Sequence, residues 1–166
     1  MTMKRWLAGI MLAGLLMLCA PSASACSCII PEVKDALSRA NAVFTGKVTE
    51  VIEPKESQVA LSPDSKLYVI KFEVEKTWKG APLTEFSVLS VQGNGCFAYP
   101  PVKKGERYLV FADPFDQEGE RKTEWSIITK CSRTQLSATS NPDIRILNSL
   151  TSPILLTPVR RRNEWL

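Results

Sequence analysis

Two cysteines one residue apart, Cys26 and Cys28, stand directly behind the small residues Ala23-Ser24-Ala25 at the end of an apolar leader. A small-x-small triplet after a hydrophobic run is typical of a signal-peptidase site. Cleavage after Ala25 would make Cys26 the first residue of the mature chain. The C-x-C pair therefore constrains both where the folded domain begins and how its first residues are held.

The leader predicts export. Lys4 and Arg5 form a positive n-region, and the apolar stretch over residues 7–19 is too short to span a bilayer comfortably. We therefore interpret residues 1–25 as a signal peptide and expect a secreted protein, extracellular or periplasmic; a permanent membrane anchor is the alternative. The net charge is only +4 and falls further once Lys4 and Arg5 are removed. Such a weak balance gives no reason to expect nucleic acid or an anionic membrane as the partner.

The cysteines of the mature chain predict disulfides. Of the five in the sequence, Cys19 leaves with the leader. Those that remain are Cys26, Cys28, Cys96 and Cys131. An even number in a small exported domain implies two disulfides, and each member of the C-x-C pair is expected to reach a distant segment rather than its neighbour. A four-cysteine zinc site is the alternative, but the spacing lacks paired C-x2-C knuckles.

The sequence contains no histidine, which excludes the Ser-His-Asp triad, the Cys-His pair and the H-E-x-x-H zinc site. Gly93-x-Gly95-x-x-Ala98 loosely resembles a dinucleotide-binding loop, but Tyr99-Pro100-Pro101 follows where a helix should begin. A tight turn around Cys96 is the better interpretation. We expect a protein that is not an enzyme and that has no cofactor or metal ion of its own.

Apolar periodicity predicts five short strands with one helix before them and one after. The predicted strands cover residues 42–51, 67–78, 86–91, 107–112 and 125–129, and the predicted helices cover 33–40 and 142–150. This order favours a mainly β domain over residues 26–150, a five-stranded OB-fold-like closed antiparallel barrel with a short N-terminal and a C-terminal helix. A β-sandwich is the alternative. Residues 151–166, which include the basic run 160–162, are interpreted as a solvated tail.

Several short segments, taken in order, carry a family resemblance. They are Cys26-Ser27-Cys28, Ala42-Val43-Phe44-Thr45-Gly46-Lys47-Val48, Lys76-Thr77-Trp78-Lys79-Gly80, Cys96, Gly105-Glu106-Arg107-Tyr108-Leu109-Val110 and Thr129-Lys130-Cys131-Ser132. Over roughly residues 26–150 the sequence resembles the inhibitory N-terminal domain of the tissue inhibitors of metalloproteinases, and the wider netrin-like module family. The resemblance implies an OB-type barrel and the disulfides Cys26–Cys96 and Cys28–Cys131. The third disulfide of the animal inhibitors and their second, cysteine-rich domain have no counterpart in this sequence.

The resemblance implies an inhibitor of zinc metalloproteases, in which the zinc belongs to the partner. The α-amine and carbonyl of Cys26 would chelate the catalytic zinc and displace the water that attacks the substrate. An α-amine has an ordinary pKa of about 7.7–8, so the metal competes only modestly with a proton at neutral pH. Beside Cys26, the residues expected to contact the protease cleft are Ser27, Cys28, Ile29, Ile30, Gln92, Gly93, Asn94, Gly95, Cys96 and Phe97.

Two alternatives to inhibition remain open. Ala23-Ser24-Ala25-Cys26 partly resembles a bacterial lipobox, and acylation at Cys26 would block the amine and tether a lipoprotein to a membrane. The second alternative is a non-inhibitory netrin-like interaction module. A disulfide stabilises a domain by about 2–4 kcal/mol without any further role. Stabilisation alone does not require a cysteine at the first residue, however, and this favours the inhibitor.

Overall fold

The structure, a computed structural model, describes residues 28–53, 65–93, 98–117 and 120–154. In chain order, the elements are α1 Val33–Arg39, β1 Ala42–Ile52, β2 Ser65–Lys79, β3 Glu85–Gly93, β4 Arg107–Gln117, β5 Glu120–Ile128, β6 Gln135–Leu136 and α2 Asn141–Leu150. A single 3-10 turn, Ser137–Thr139, lies between β6 and α2. This is the mainly β fold with a helix at each end that the apolar periodicity predicts.

Five strands form a closed barrel. They are hydrogen-bonded in the order β1-β2-β3-β5-β4, and β4 pairs back onto β1 from Ala42↔Ala112 to Lys47↔Arg107. Every pair is antiparallel except β3 with β5, which is parallel at Leu89↔Ile127, so the expectation of an antiparallel barrel is wrong for this one pair. This strand order is that of the five-stranded OB-type barrel. The short strand β6 is added to the first part of β4, outside the closed barrel.

The barrel interior is filled by one set of alternating side chains. Successive residues of a strand point to opposite faces, so the inward positions of β1, β2 and β4 form a continuous apolar core, which residues of β3, β5 and the β3–β4 connection complete. Its buried members are Ala42, Phe44, Val48, Ile70, Phe72, Val74, Val88, Tyr99, Val102, Tyr108, Val110, Ala112 and Ile128. The rings of Phe44 and Phe72 meet edge to face at 5.5 Å. Full burial of side chains of this size stabilises the fold by about 1.5–3 kcal/mol each.

Both helices cover the outer face of β1 and β4. The buried residues of this second cluster are Val33, Ala36, Ala40, Val43, Trp78, Leu109, Phe111 and Leu147. The Lys79 ammonium donates to the carbonyl oxygens of Leu37 and Ser38 at the end of α1, both at 2.8 Å. A cation at this position satisfies helix carbonyls that have no partner within the helix. Pro142 is the second residue of α2 and lies in its first turn, as predicted.

The observed strands extend beyond the predicted ones at the β4–β5 hairpin. Strand β4 continues past Ala112 to Gln117, and β5 begins at Glu120 rather than near Trp125. Proline lacks a backbone donor and is confined to edges and bulges of sheets, and Pro114 lies at a register shift of this hairpin. At the other end of the chain, the Ile154 amide donates to the Thr77 carbonyl at 2.8 Å. Neither described helix combines the length and the apolar character needed to cross a membrane.

Candidate functional site at the anchored N-terminal segment

The first described residues, 28–31, form a segment without regular secondary structure that is fixed at both ends. At its start, Cys28 is joined by a disulfide to Cys131, with the two Cα atoms 5.2 Å apart. The bridge connects positions separated by 103 residues and is one of the two pairings that the family resemblance implies. It attaches the start of the described chain to the segment that follows β5.

The end of this segment is held by a charged side chain. The Arg133 guanidinium donates from Nη1 to the Pro31 carbonyl oxygen at 2.7 Å. The same guanidinium donates from Nε and Nη2 to the two carboxylate oxygens of Asp143 at 2.6 and 2.8 Å. The three hydrogen bonds use the planar, forked donor geometry that distinguishes arginine from lysine. Arg133 therefore links the N-terminal segment to the first turn of α2; we call this arrangement the Arg133 clamp.

The clamp is an enclosed ion pair. The side chains of Arg133 and Asp143 are only 23% and 5% exposed. The Gln135 amide donates a further hydrogen bond to Asp143 at 2.7 Å, so the buried carboxylate has three donors. The hydrogen bond with Asp143, stronger than the opposing effect of burial, raises the pKa of Arg133 above its ordinary value. Asp143 also lies at the N-terminal end of α2, where a negative charge is favoured by the helix dipole.

Between these two attachments the chain presents two isoleucines to solvent. Ile29 is 89% exposed and Ile30 is 58% exposed, the highest values among the large apolar side chains described. Scattered exposed apolar residues are common on protein surfaces, but two adjacent ones are informative here because the segment that carries them is attached at both ends. This geometry can insert side chains into a partner's cleft without first ordering the backbone.

A groove of about 900 Å³ adjoins this segment, and Ile30 lines one side of it. Its lining also includes Tyr99, Pro100 and Pro101 of the β3–β4 connection, together with Lys130 and residues 132–136. The Tyr99 hydroxyl donates to the Thr134 carbonyl at 3.0 Å, which ties the connection to the segment after Cys131. Burial raises the pKa of Tyr99 to about 12. Burial and the hydrogen bond to Glu106 likewise raise the pKa of the neighbouring Tyr108.

The structure places part of the predicted site and not the rest. Ile29 and Ile30 lie on the anchored segment, and Gln92 and Gly93 end β3. The Gln92 amide nitrogen is buried and has no hydrogen-bond partner within the described residues. The predicted positions Cys26, Ser27, Asn94, Gly95, Cys96 and Phe97 lie outside the described residues, and so does the predicted Cys26–Cys96 disulfide. Of the two parts of the expected contact surface, the structure describes the first from Cys28 onward and only the edge of the second.

Sequence reasoning missed the Arg133 clamp. Arg133 follows Cys131 by two residues and Asp143 lies ten residues further on, in another element, so no helical or strand spacing relates them. The only available signal was that an arginine beside a predicted bridge would lie near the N-terminus. In the part of the chain that the structure describes, no three histidine, cysteine, aspartate or glutamate side chains are grouped as metal ligands.

Comparison with known proteins returns no match to a family model and none to a curated protein. The fold and the anchored segment therefore carry the functional argument together with the sequence resemblance.

Proposed function

We propose that the mature protein inhibits zinc metalloproteases by presenting its N-terminal segment to the catalytic cleft. Cys26 would supply its α-amine and carbonyl to the open position of the protease zinc, which a water molecule otherwise occupies. Ser27 would follow in the first primed pocket, with Ile29 and Ile30 further along the cleft. The bound segment would resemble an extended substrate that the protease cannot hydrolyse, because the attacking water has been displaced.

The observation that carries this proposal is the double attachment of residues 28–31. The Cys28–Cys131 disulfide and the hydrogen bond from Arg133 to Pro31 hold a short segment whose isoleucines point into solvent. Ordering a flexible chain end on binding costs about 1–2 kcal/mol of backbone entropy per residue. A segment that is ordered before the encounter avoids that cost, which favours a rigid inhibitor. A bridge that only stabilised the barrel would not need exposed apolar residues beside it.

Inhibition can be tested with the mature protein that begins at Cys26. It is titrated against several zinc metalloproteases with a fluorogenic peptide substrate, and a serine protease without zinc serves as the negative control. We expect stoichiometric or tight inhibition of at least one zinc enzyme and none of the serine enzyme. Absence of inhibition throughout a broad zinc-protease panel would contradict the proposal.

The role of the amine is tested by a variant with one alanine added before Cys26. The addition moves the α-amine by one residue, about 3.3–3.6 Å of chain, and leaves the sequence of the barrel unchanged. We expect inhibition to be lost while the melting temperature stays the same. Equal potency of the extended and mature proteins would exclude chelation by Cys26.

Intact mass separates the inhibitor from the acylated alternative. A mass that begins at Cys26 and is smaller by four hydrogens than the reduced chain corresponds to two disulfides and an unmodified amine. A lipid-sized excess would instead indicate a lipoprotein, whose blocked amine cannot chelate zinc. A correct mass without inhibition would leave the non-inhibitory netrin-like interaction module.

A further inference from the structure

The groove beside Ile30 has the features of a rigid docking surface. Its exposed apolar lining consists of Ile30, Pro100, Pro101, Leu136 and Pro142. Proline has a fixed φ and no backbone donor, so the three proline positions lose little entropy and leave no amide unsatisfied when they are covered. A volume of about 900 Å³ is large enough for several residues of an extended peptide.

The charges of the groove favour a negatively charged occupant. Lys103 and Lys130 line it and both are exposed; neither forms a salt bridge among the described residues, although the hydrogen bond from Tyr108, helped by the charge of Lys103, lowers the pKa of the neighbouring Glu106. Its two carboxylates are already engaged within the protein. Glu106 accepts hydrogen bonds from the Tyr108 hydroxyl at 2.7 Å and from the Lys103 amide at 3.1 Å, and Asp143 accepts those of the Arg133 clamp. The lining therefore has three cationic side chains, Lys103, Lys130 and Arg133, against two carboxylates, an excess of positive charge.

We propose that this groove is a second docking surface for the inhibited protease and takes an extended acidic segment that lies outside the catalytic cleft. The inference rests on the proposed function. It follows from continuity: Ile30 belongs both to the anchored segment and to the groove, so a protease seated on Ile29 and Ile30 extends over the lysines. Rim charges of this kind act mainly on the association rate and on partner choice.

A peptide fits these observations better than a polyanion or a membrane does. Binding of a highly charged polymer or of anionic lipid depends on many cations spread over one surface. The groove has only two lysines, and they share its lining with exposed apolar side chains that include three prolines. Such a site matches a segment in which acidic side chains alternate with apolar ones.

The first test measures direct binding without any protease. The probe is a fluorescein-labelled decapeptide of alternating glutamate and leucine, and its glutamine counterpart is the uncharged control. We expect the acidic peptide to bind, to weaken with added salt and to lose about tenfold or more in affinity in Lys103→Glu/Lys130→Glu. The matched control is Lys34→Glu/Lys47→Glu, which changes net charge equally at positions outside the groove and should bind like the wild type.

Three results would overturn the inference: equal binding of the two peptides, equal effects of the two lysine pairs, or groove-dependent binding of heparin or phosphatidylserine vesicles with no binding of the peptide.

The second test uses a zinc protease that the mature protein inhibits. Lys103→Glu/Lys130→Glu should slow association by about tenfold at low salt and leave the dissociation rate nearly unchanged. An unchanged association rate would likewise contradict the inference.

The two proposals fail separately. Alanine added before Cys26 is expected to abolish inhibition and to leave peptide binding intact, because the groove does not include the amine. Peptide binding without inhibition in the mature protein would contradict the proposed function and the protease as the occupant. Inhibition without peptide binding would contradict only the proposal that the groove is a docking surface.

Discussion

Arg133 shows how one side chain can determine the direction of the exposed segment. Its guanidinium hydrogen-bonds both the Pro31 carbonyl oxygen and the Asp143 carboxylate in the first turn of α2. Its partner Asp143 is almost fully buried, so the pair is costly to break. Removal of one member of a buried pair leaves an uncompensated charge, whereas an exposed pair contributes little. Two arginines of this chain allow that comparison.

We expect Arg133→Met to lower the free energy of unfolding by on the order of 3 kcal/mol, because the buried Asp143 carboxylate loses its charged partner. Arg107→Met is the matched control: Arg107 also donates to a carboxylate, Glu75, at 2.7 Å, but these side chains are 57% and 40% exposed. That substitution should cost less than about 1 kcal/mol. Urea unfolding followed by tryptophan fluorescence measures both. Similar losses in the two variants would show that the Arg133 clamp is not a buried ion pair in solution.

Ile29 gives a functional prediction at the same scale. Its side chain is almost fully exposed, so Ile29→Ser should change the stability by less than about 0.5 kcal/mol. Burial of an isoleucine in a protease cleft is worth about 1.5–3 kcal/mol, so the same substitution should weaken inhibition by roughly tenfold to a hundredfold. Ile146→Ser, at an exposed position on α2 outside the groove, is the control and should leave inhibition unchanged. Equal inhibition constants for wild type and Ile29→Ser would remove Ile29 from the contact surface.

At the scale of elements, the turn after β2 illustrates a close approach that side-chain patterns do not reveal. Gly80 has φ +97°, and a Cβ added there would lie 3.1 Å from the Ala42 Cβ and 3.2 Å from the Asn41 carbonyl oxygen. Gly105, before β4, has a similar φ of +90°, but a Cβ there would meet nothing within 4 Å. The two glycines share the backbone requirement and differ only in the surrounding space.

We therefore expect both Gly80→Ala and Gly105→Ala to destabilise the protein, because alanine at positive φ costs about 1–2 kcal/mol. Gly80→Ala should lose about 1 kcal/mol more, since its methyl group forces β1 away from the turn. Thermal and urea unfolding of the two variants give the difference directly. A larger loss for Gly105→Ala would mean that packing against the start of β1 is looser than the structure indicates.

Elements with a strong apolar period could be predicted from the sequence, and those without one could not. Ile70, Phe72 and Val74 alternate with polar residues and lie in the barrel core as expected. The end of β4 and the start of β5 were missed because Pro114 and a run of charged residues interrupt the alternation. Strand β6 has only two residues, Gln135–Leu136, which is too few for any period. Closure of the barrel by β1 and β4 follows only from the predicted OB-fold-like architecture, because apolar alternation within a strand does not indicate which strands pair.

The candidate site could be predicted where it depends on cysteine position and not where it depends on tertiary contact. The Cys28–Cys131 bridge followed from a resemblance carried by short motifs. The Arg133 clamp and the proline-lined groove required knowledge of which loops meet, because their members come from the N-terminus, the β3–β4 connection and α2. Side-chain type alone carries no such information.

For the whole molecule, the Cys28–Cys131 bridge closes a loop with a sequence separation of 103 residues. The chain-entropy model predicts a stabilisation of about 4–5 kcal/mol for a loop of that length. Cys28→Ser/Cys131→Ser should therefore lower the free energy of unfolding by several kcal/mol while the predicted Cys26–Cys96 pair remains available. Equilibrium unfolding in urea measures the loss. No change would mean that the Arg133 clamp and the barrel hold the segment without the bridge.

The stability of the whole molecule should also depend on alkaline pH through Tyr99. Its pKa is raised from 10.0 to about 12 by burial, and its hydroxyl proton is donated to the Thr134 carbonyl. The unfolded chain releases this proton near pH 10 and the folded protein retains it, so the contribution is fully present below pH 10 and is lost as pH rises toward 12.

From pH 9 to pH 11 we expect Tyr99 to account for about 1 kcal/mol of lost stability, measured as the urea unfolding free energy across that range. Tyr99→Phe should be less stable than wild type at pH 9 by about 1 kcal/mol, because the hydrogen bond to Thr134 is lost, yet should decline less steeply with pH. Thr134→Val is the control. It removes the hydrogen bonds between the Thr134 hydroxyl and the Phe111 backbone, which do not titrate in this range. The stability of this variant should therefore be lower than that of wild type and should fall with pH at the same rate. Parallel curves for wild type and Tyr99→Phe would mean that the phenol ionises equally in the folded and unfolded states, and that the wall of the groove at Tyr99 is open to water.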